Sequence, residues 1–499
     1  MLFNQFPDKQ QYLNLADTCN VIPVCMEILA DMETPVSLLR KLYDQKEPLF
    51  LFESVEGRER WGRYSFLGAS VQKDILVFKD HIKIIEKNES KKISHNNAPL
   101  DVLRKFLAEY KPADMSGLPR FWGGMIGYMT YEMVSFFEDI PNALPDSKPR
   151  AHFIIPDEMI IFDNKKNTLT AIVISFLDKN TNKEKSYEDA TGKLKQLIKR
   201  ISCEKKAVQK REEKKVYKLR PRYPDKRYQD HVKKVKEHIY QGDVIQAVIS
   251  QPFECSDPPD IVDLYRAQRY INPSPYLYFM KLSSTSLVGS SPETMVRLEN
   301  NTATLRPIAG TRPRGKTEQE DRTLADHLLS DEKERAEHLM LVDLGRNDLG
   351  RIAKTGSVQV TELMGVERYS HVMHLVSNIK CDLEPDKDAW DLIRSCFPAG
   401  TLSGAPKVRA MQIIYDLQKE ARGPYGGAVG YISFDGNMDL AITIRTACIE
   451  EGKLRVQAGA GIVADSDPET ECIETHNKAM ALEKALTLVS DLQYSGVDQ

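Results

Sequence analysis

No apolar run in this 499-residue sequence approaches the ~18 residues that a membrane-spanning helix needs. The opening MLFNQFPDKQQYLNLADTC lacks the basic start and continuous apolar stretch of a secretory signal, so a cytoplasmic protein is expected. Cysteine occurs eight times (Cys19, Cys25, Cys203, Cys255, Cys381, Cys396, Cys448, Cys472) without a close C-x-x-C pair, which argues against a zinc knuckle or redox motif and for reduced thiols. A charge field of one sign is also missing. Sixty-nine Lys and Arg against 72 Asp and Glu leave a net charge of −3, which disfavours a nucleic-acid binder. What remains, 41% hydrophobic and 28% charged residues, is ordinary globular composition with length to bury a core unaided.

The first 180 residues mix β-type runs such as MIIFD and TLTAIVISFL with charged turns. Residues 204–222, EKKAVQKREEKKVYKLRPR, carry nine basic residues against three acidic ones and are too polar for core. The expected organisation is therefore a part over 1–203, a basic linker over 204–224 and a part over 225–499. After the linker, Tyr228, Val232, Val235 and Ile239 form the stripe of an amphipathic helix that Gly242 can end, and VIQAVISQPF follows as a strand. GGAVGYISF, LAITIRTACI and LRVQAGAGIV read as three consecutive antiparallel strands. A last helix starts at Asp467 with Pro468 at its first position, or at a Ser466/Glu469 capping box. Ala479, Leu482, Leu486 and Val489 give it an apolar face. The fold class expected from these residues is α+β with large antiparallel sheets.

Two Glu-x-x-Glu pairs, Glu334 with Glu337 and Glu471 with Glu474, each place two carboxylates on one helix face. Facing one another they suit a hard divalent cation, while a single pair suits a solvated helix face equally well. Gly459, Ala460 and Gly461 in QAGAGIV have little steric hindrance toward an anion, and a sheet-edge bend explains them too. Arg445 lies on an apolar strand pattern, where a buried guanidinium needs an anionic partner, from the protein or from a ligand. FPAGTLSGAPK (Phe397 to Lys407) is too rich in turn formers for a regular element. His374 sits in an apolar context that a core histidine also occupies. Glu293 follows a polar turn, where burial makes it a raised-pKa acid and exposure leaves it a turn residue.

Together SSPETMVRL, RPIAGTRPRG, AEHLMLVDLGRNDLGR, YSHVMHLVSN, FPAGTLSGAPK, GPYGGAVGYISF and AGAGIVADSDPETECIETHNKA resemble the chorismate-utilising enzymes, specifically the anthranilate synthase component I family. The match is dense from Asn272 to Leu482 and continues more thinly through LFESVEGRERWGRYSFLG and PRFWGGMIGYMTYE. The resemblance implies two interdigitated domains forming a two-layer α/β sandwich, with an active cleft between sheet layers. It implies a Mg²⁺-dependent carbon–oxygen lyase that converts chorismate and ammonia to anthranilate and pyruvate in tryptophan biosynthesis. Within it, Glu337 and Glu474, with Glu334 and Glu471 beside them, hold Mg²⁺ against the ring carboxylate. Arg445, Tyr425, Gly459, Ala460 and Gly461 hold the enolpyruvyl carboxylate, and Gly310 and Thr311 shape the floor. Glu293 is the implied acid for the leaving hydroxyl, and His374, with Thr401 nearby, serves the elimination.

Isochorismate-forming relatives carry a lysine where this chain has Gln246, and aminodeoxychorismate synthases a lysine where it has Ala309. The alternatives set against anthranilate synthesis are aminodeoxychorismate synthase component I and a non-catalytic tryptophan-sensing subunit. No cysteine lies in the glycine-rich elbow of a glutaminase, so a glutamine amidotransferase partner, component II, is expected to deliver ammonia in a hetero-oligomer of large and small subunits. Glu53, Ser54, Asn272, Pro275, Tyr276 and Leu277 match the family's site for tryptophan feedback inhibition, with Leu277 replacing the usual methionine. There, a carboxylate is expected for the ammonium group and an aromatic wall for the indole.

Overall fold

The computed structural model describes residues 4–45, 47–54, 62–87, 89–115, 117–203, 215–369 and 372–495. Every ladder between its named strands is antiparallel. One layer runs from Gln246–Cys255 through Lys453–Ile462, Thr446–Glu450 and Ser286–Ser291 to Tyr276–Lys281. There Leu277 pairs with Glu53, which passes the sheet to N-terminal strands Leu49–Glu53, Tyr64–Val77 and Ala151–Asp163. Gly124–Met129 then returns it to the C-terminal part, with Gly127 opposite Gly430. The second layer continues through Ala428–Ser433, Met438–Ile442, Thr294–Glu299 and Thr302–Leu305 to Val372–Asp382. N-terminal strands thus join two C-terminal ladders, the interdigitation that the resemblance implied. The proposed linker falls largely on residues 204–214, outside the described residues.

Strand periodicity explains the two main cores. On Tyr276–Lys281, Tyr278 and Met280 face the core that includes Val296, Val429 and Leu440 of the other layer. Leu277 and Phe279 face the core under the helices, with Tyr265, Leu482 and Leu486. Tyr228, Val232 and Val235 are buried on the helix Asp225–Tyr240, and Gly242 follows its end at φ +80°. The C-terminal helix Pro468–Ser495 is capped by Asp467, whose Oδ1 accepts from the Thr470 amide at 2.9 Å, while Ser466 Oγ turns back to the Val463 amide. All eight cysteines are free. Among the described residues no helix is long and apolar enough to cross a membrane.

The expected three-strand meander is four strands. LAITIRTACI breaks at residues 443–445 into Met438–Ile442 in one layer and Thr446–Glu450 in the other. The apolar alternation is correct on each side, but Arg445 takes φ +50° and redirects the chain.

Candidate active site

The chain changes layers twice within a few residues of one point. Ser286–Ser291 gives way to Thr294–Glu299 through Pro292 and Glu293, and Met438–Ile442 gives way to Thr446–Glu450 through residues 443–445. Backbone bonds lock the crossovers together: the Ile442 amide donates to Glu293 O at 3.0 Å, and the Ser290 amide to Arg445 O at 3.3 Å. Gln268 Nε2 also donates to Arg445 O, at 2.6 Å. Arg445 therefore sits in a crossover rather than on a strand, and its Nη1 reaches Asn272 Oδ1 at 3.4 Å.

Glu293 is buried, and Thr401 Oγ1 from the FPAGTLSGAPK loop donates to its Oε1 at 2.9 Å. Burial pushes its carboxyl up to about 7, against the opposing pull of the Thr401 hydrogen bond and the Arg445 and Lys478 charges. This is the range in which a carboxyl both holds and releases a proton near neutral pH.

His374 is fixed by a bulge. Ala309 pairs with Leu375 and Thr311 with His374, leaving Gly310 as the extra residue at φ +66°. Its carbonyl lies 2.9 Å from His374 Nδ1, with Thr311 Oγ1 at 3.1 Å from the same nitrogen. A carbonyl only accepts, so Nδ1 carries the proton and Nε2 keeps a lone pair. Burial lowers the ring's pKa, with the Arg445 charge acting in the same direction, so the imidazole is neutral at pH 7.

The helix Glu332–Gly350 presents Glu334 and Glu337. Asp331 caps it by accepting from the Lys333 and Glu334 amides, and Arg312 spans Asp331 (2.8 Å) and Glu334 (3.1 Å). Burial raises the Glu337 pKa, and the charges of Glu334 and Glu474 raise it further; burial and Glu474 act likewise on Glu471. The two helices thus gather like charges with oxygen donors only, the donor chemistry a hard cation takes, and such an ion would relieve their repulsion. Among the described residues, however, no three of these carboxylates bring ligand atoms within 4.8 Å of one another. The cluster therefore fits an ion that keeps water and substrate oxygens in its shell, and not a closed all-protein cage.

Sequence reading missed Lys478, whose Nζ lies 2.7 Å from Glu474 Oε1 and 2.8 Å from Gly459 O. Its place four residues beyond Glu474 on one helix was the available signal. Gly459 to Gly461 lie near the end of the strand Lys453–Ile462, where they are still paired with Val248 to Ser250. A Cβ on Gly461 would meet Gln246 Nε2 at 2.0 Å, and one on Gly459 would stand 2.5 Å from Ile249 O and 2.8 Å from the Tyr425 hydroxyl. Gly459→Ala is accordingly expected to destabilise the fold by about 1–3 kcal/mol, since a backbone carbonyl must move. Denaturant melts check the stability, and activity is expected to fall at least ~10-fold as Tyr425 is displaced. An unchanged melt with unchanged turnover would refute this close packing.

A cavity lies along the seam between Leu49–Glu53 and Tyr276–Lys281. It collects Glu53, Ser54, Pro275, Tyr276 and Leu277 of the expected regulatory set, and adds Tyr64, Arg120, Tyr431 and Asp439. Asn272 is not in its lining and belongs to the Arg445 crossover instead. The Glu53 carboxylate is not the cavity's anionic group, because strand alternation turns it to the helix side, where Tyr265 OH and Arg269 Nε (3.1 Å) donate to it. Asp439 supplies that charge; it accepts from Tyr276 OH at 2.9 Å and lies 3.3 Å from Arg120 Nη2. Residues 55–61 of the matching LFESVEGRERWGRYSFLG string lie outside the described residues.

A long antiparallel sandwich thus carries a buried acid and a guanidinium at its layer crossover, and a neutral imidazole on the ladder of Val372–Asp382. The chain belongs to the chorismate binding enzyme family, whose profile matches residues 50–484. It is 43% identical over 98% of its length to anthranilate synthase component 1 of Acetivibrio thermocellus, covering 100% of that protein. With the protein of the same name from Aquifex aeolicus it shares 45% identity, over 97% of this chain and 98% of the relative. The crystal structure of anthranilate synthase component I from Streptococcus pneumoniae superposes with a TM-score of 0.74 at 37% identity, over 91% of this chain and 99% of that one. The menaquinone-specific isochorismate synthase of Escherichia coli, at 18% identity and a TM-score of 0.70 over 96% of this chain and 99% of that one, shares the fold.

Proposed function

We propose that this chain is the aminase component of an anthranilate synthase, converting chorismate and ammonia to anthranilate, pyruvate and water. The observation that carries the reading is a buried acid, Glu293, locked by backbone bonds to the Arg445 crossover, with the Arg445 charge acting on both Glu293 and His374, in a chain so similar to proteins of that name. Arg445 and the Tyr425 hydroxyl, above the glycine strand, hold the enolpyruvyl carboxylate. Glu337 and Glu474, with Glu334 and Glu471 beside them, would hold Mg²⁺, which would supply Lewis-acid attraction for the ring carboxylate. Ammonia adds at ring carbon 2 while the carbon 4 hydroxyl leaves as water with the Glu293 proton. Gln246 keeps its Nε2 on Glu337 (3.4 Å), and its buried Oε1 has no partner among the described residues, which leaves an acceptor for an ammonia N–H. In the second step the carbon 2 proton leaves to a base, pyruvate departs, and the ring becomes aromatic; the Nε2 lone pair of His374 is suited to that base.

Ammonia comes from a separate glutamine amidotransferase subunit, since this chain has no glutaminase elbow. Tryptophan inhibits at the seam cavity, where Arg120 and Asp439 offer opposite charges to a zwitterion and Tyr64, Tyr276 and Tyr431 offer ring faces. The test is anthranilate fluorescence from purified chain with chorismate, Mg²⁺ and excess ammonium, with and without tryptophan. Product is expected to require Mg²⁺ and to fall with tryptophan. Glu337→Gln and Glu474→Gln are expected to raise the Mg²⁺ concentration required by at least ~10-fold. A 4-amino product retaining the pyruvyl group would overturn the reaction, and metal-independent turnover would overturn the carboxylate roles.

A further inference from the structure

On the side of the C-terminal helix away from the Mg²⁺ carboxylates, three residues of different chemistry meet. Cys472 and His476 stand at i and i+4, one above the other on the helix, and Asp225 comes from the first turn of Asp225–Tyr240. Their ligand atoms all lie within 4.8 Å of one another, with His476 Nε2 2.8 Å from Asp225 Oδ1. The strand Gln246–Cys255 supports them: Phe253 packs edge-on against the His476 ring, centroids 5.2 Å apart, and Gln251 Nε2 points an N–H at Cys472 Sγ from 3.8 Å. Asp225 is exposed, His476 half-buried and Cys472 buried, so the group opens to solvent at its oxygen end.

We propose that Asp225, Cys472 and His476 bind a thiophilic divalent cation, Zn²⁺ foremost, at a site separate from the four glutamates. Tetrahedral coordination with bonds of about 2.0–2.3 Å needs ligand atoms about 3.3–3.6 Å apart, which calls for small rotations of all three side chains from their present spacing. Sulfur, nitrogen and oxygen together select Zn²⁺ or Co²⁺ over Mg²⁺, which demands oxygen ligands. As the metal–sulfur bond forms, the thiol proton passes to water, and water fills the fourth position. At 3.6 residues per turn, Glu471, Glu474 and Lys478 lie on the opposite side of the same two turns. An ion here would therefore pin the segment that presents them and tie it to the helix following the basic 204–224 segment.

The site is independent of the anthranilate reading, and so is its test. Full-length protein stripped with chelator and supplied with excess Mg²⁺ is titrated with Co²⁺ alone. One equivalent is expected to give the near-ultraviolet thiolate-to-cobalt charge-transfer band and the visible bands of four-coordination, and Zn²⁺ is expected to bleach both. Carboxylates cannot give that band. Cys472→Ser is expected to abolish it, and His476→Gln to weaken Co²⁺ binding at least ~10-fold, with thermal melts in Mg²⁺ showing that both variants fold. Absence of the band at one equivalent overturns the proposal, as does a band that survives in Cys472→Ser, because another thiol would then be the ligand.

Discussion

Glu293→Gln is expected to lower kcat by roughly 10²–10⁴ while leaving the KM for chorismate within a few-fold. The glutamine keeps the shape and can still meet the Thr401 hydroxyl that lies 2.9 Å from Oε1, but it has no proton to give to a departing hydroxide. The pH dependence follows from the same burial. Because the carboxyl is raised to about 7, the acid form is plentiful below that pH and is lost above it. At constant free ammonia, kcat/KM of the wild type should therefore bend downward above pH ~7, and the residual rate of Glu293→Gln should not. The folded protein holds this proton and the unfolded chain, with a carboxyl pKa near ~4.3, does not, so stability falls as pH rises between those values. Glu293→Gln should remove that decline, making the variant slower but more stable than wild type at pH 8. Guanidinium melts at pH 5 and pH 8 check this, and a variant less stable than wild type at both would show that the Glu293 carboxyl is not strained by its burial.

Arg445→Lys is expected to reduce kcat/KM by roughly 10²–10⁴, chiefly through KM, because two charge-assisted hydrogen bonds of about 1.5–3 kcal/mol each are lost with the fork. An ammonium keeps the charge but not the two parallel N–H groups that meet a carboxylate. Arg445→Gln separates charge from geometry. The Arg445 charge lowers the pKa of both Glu293 and His374, so its removal should move the alkaline limb attributed to Glu293 to higher pH. Steady-state kinetics across pH read both effects. A KM unchanged in Arg445→Lys, together with a limb that stays in place in Arg445→Gln, would remove this residue from the substrate site and leave it a structural crossover residue.

Much of the site was legible as residue types, and little of it as neighbours. The Glu-x-x-Glu spacing, the Asp467 cap and the Gly-rich strand are local signals acting over three or four residues, and each places its element. The burial of Glu293 was not local, since its Thr401 partner is 108 positions away and reaches it only when two layers close on one another. The Arg445 position was read as a strand because apolar alternation continues on both sides of it, and no periodic signal registers one residue at φ +50°. Glu53 was assigned to a ligand because its string matches, whereas the ladder partner Leu277 fixes which way it points, toward Tyr265 and Arg269. Lys478 went unnoticed because a lysine on a helix face carries no signal until Gly459 O lies beneath it.

The sequence by itself determined the α+β class, the antiparallel strands, the terminal helix and the family. Periodicity, caps and long family strings are properties of contiguous residues, and they survive without tertiary context. Only the tertiary structure decided that the N-terminal strands bridge the two C-terminal ladders, and that both layer crossovers meet at Glu293 and Arg445. It alone decided that the Gly310 bulge fixes the tautomer of His374. Ladder register is set by which distant faces bury together, and a shift of one residue reverses every side chain, so these facts exist only once the sheets have closed.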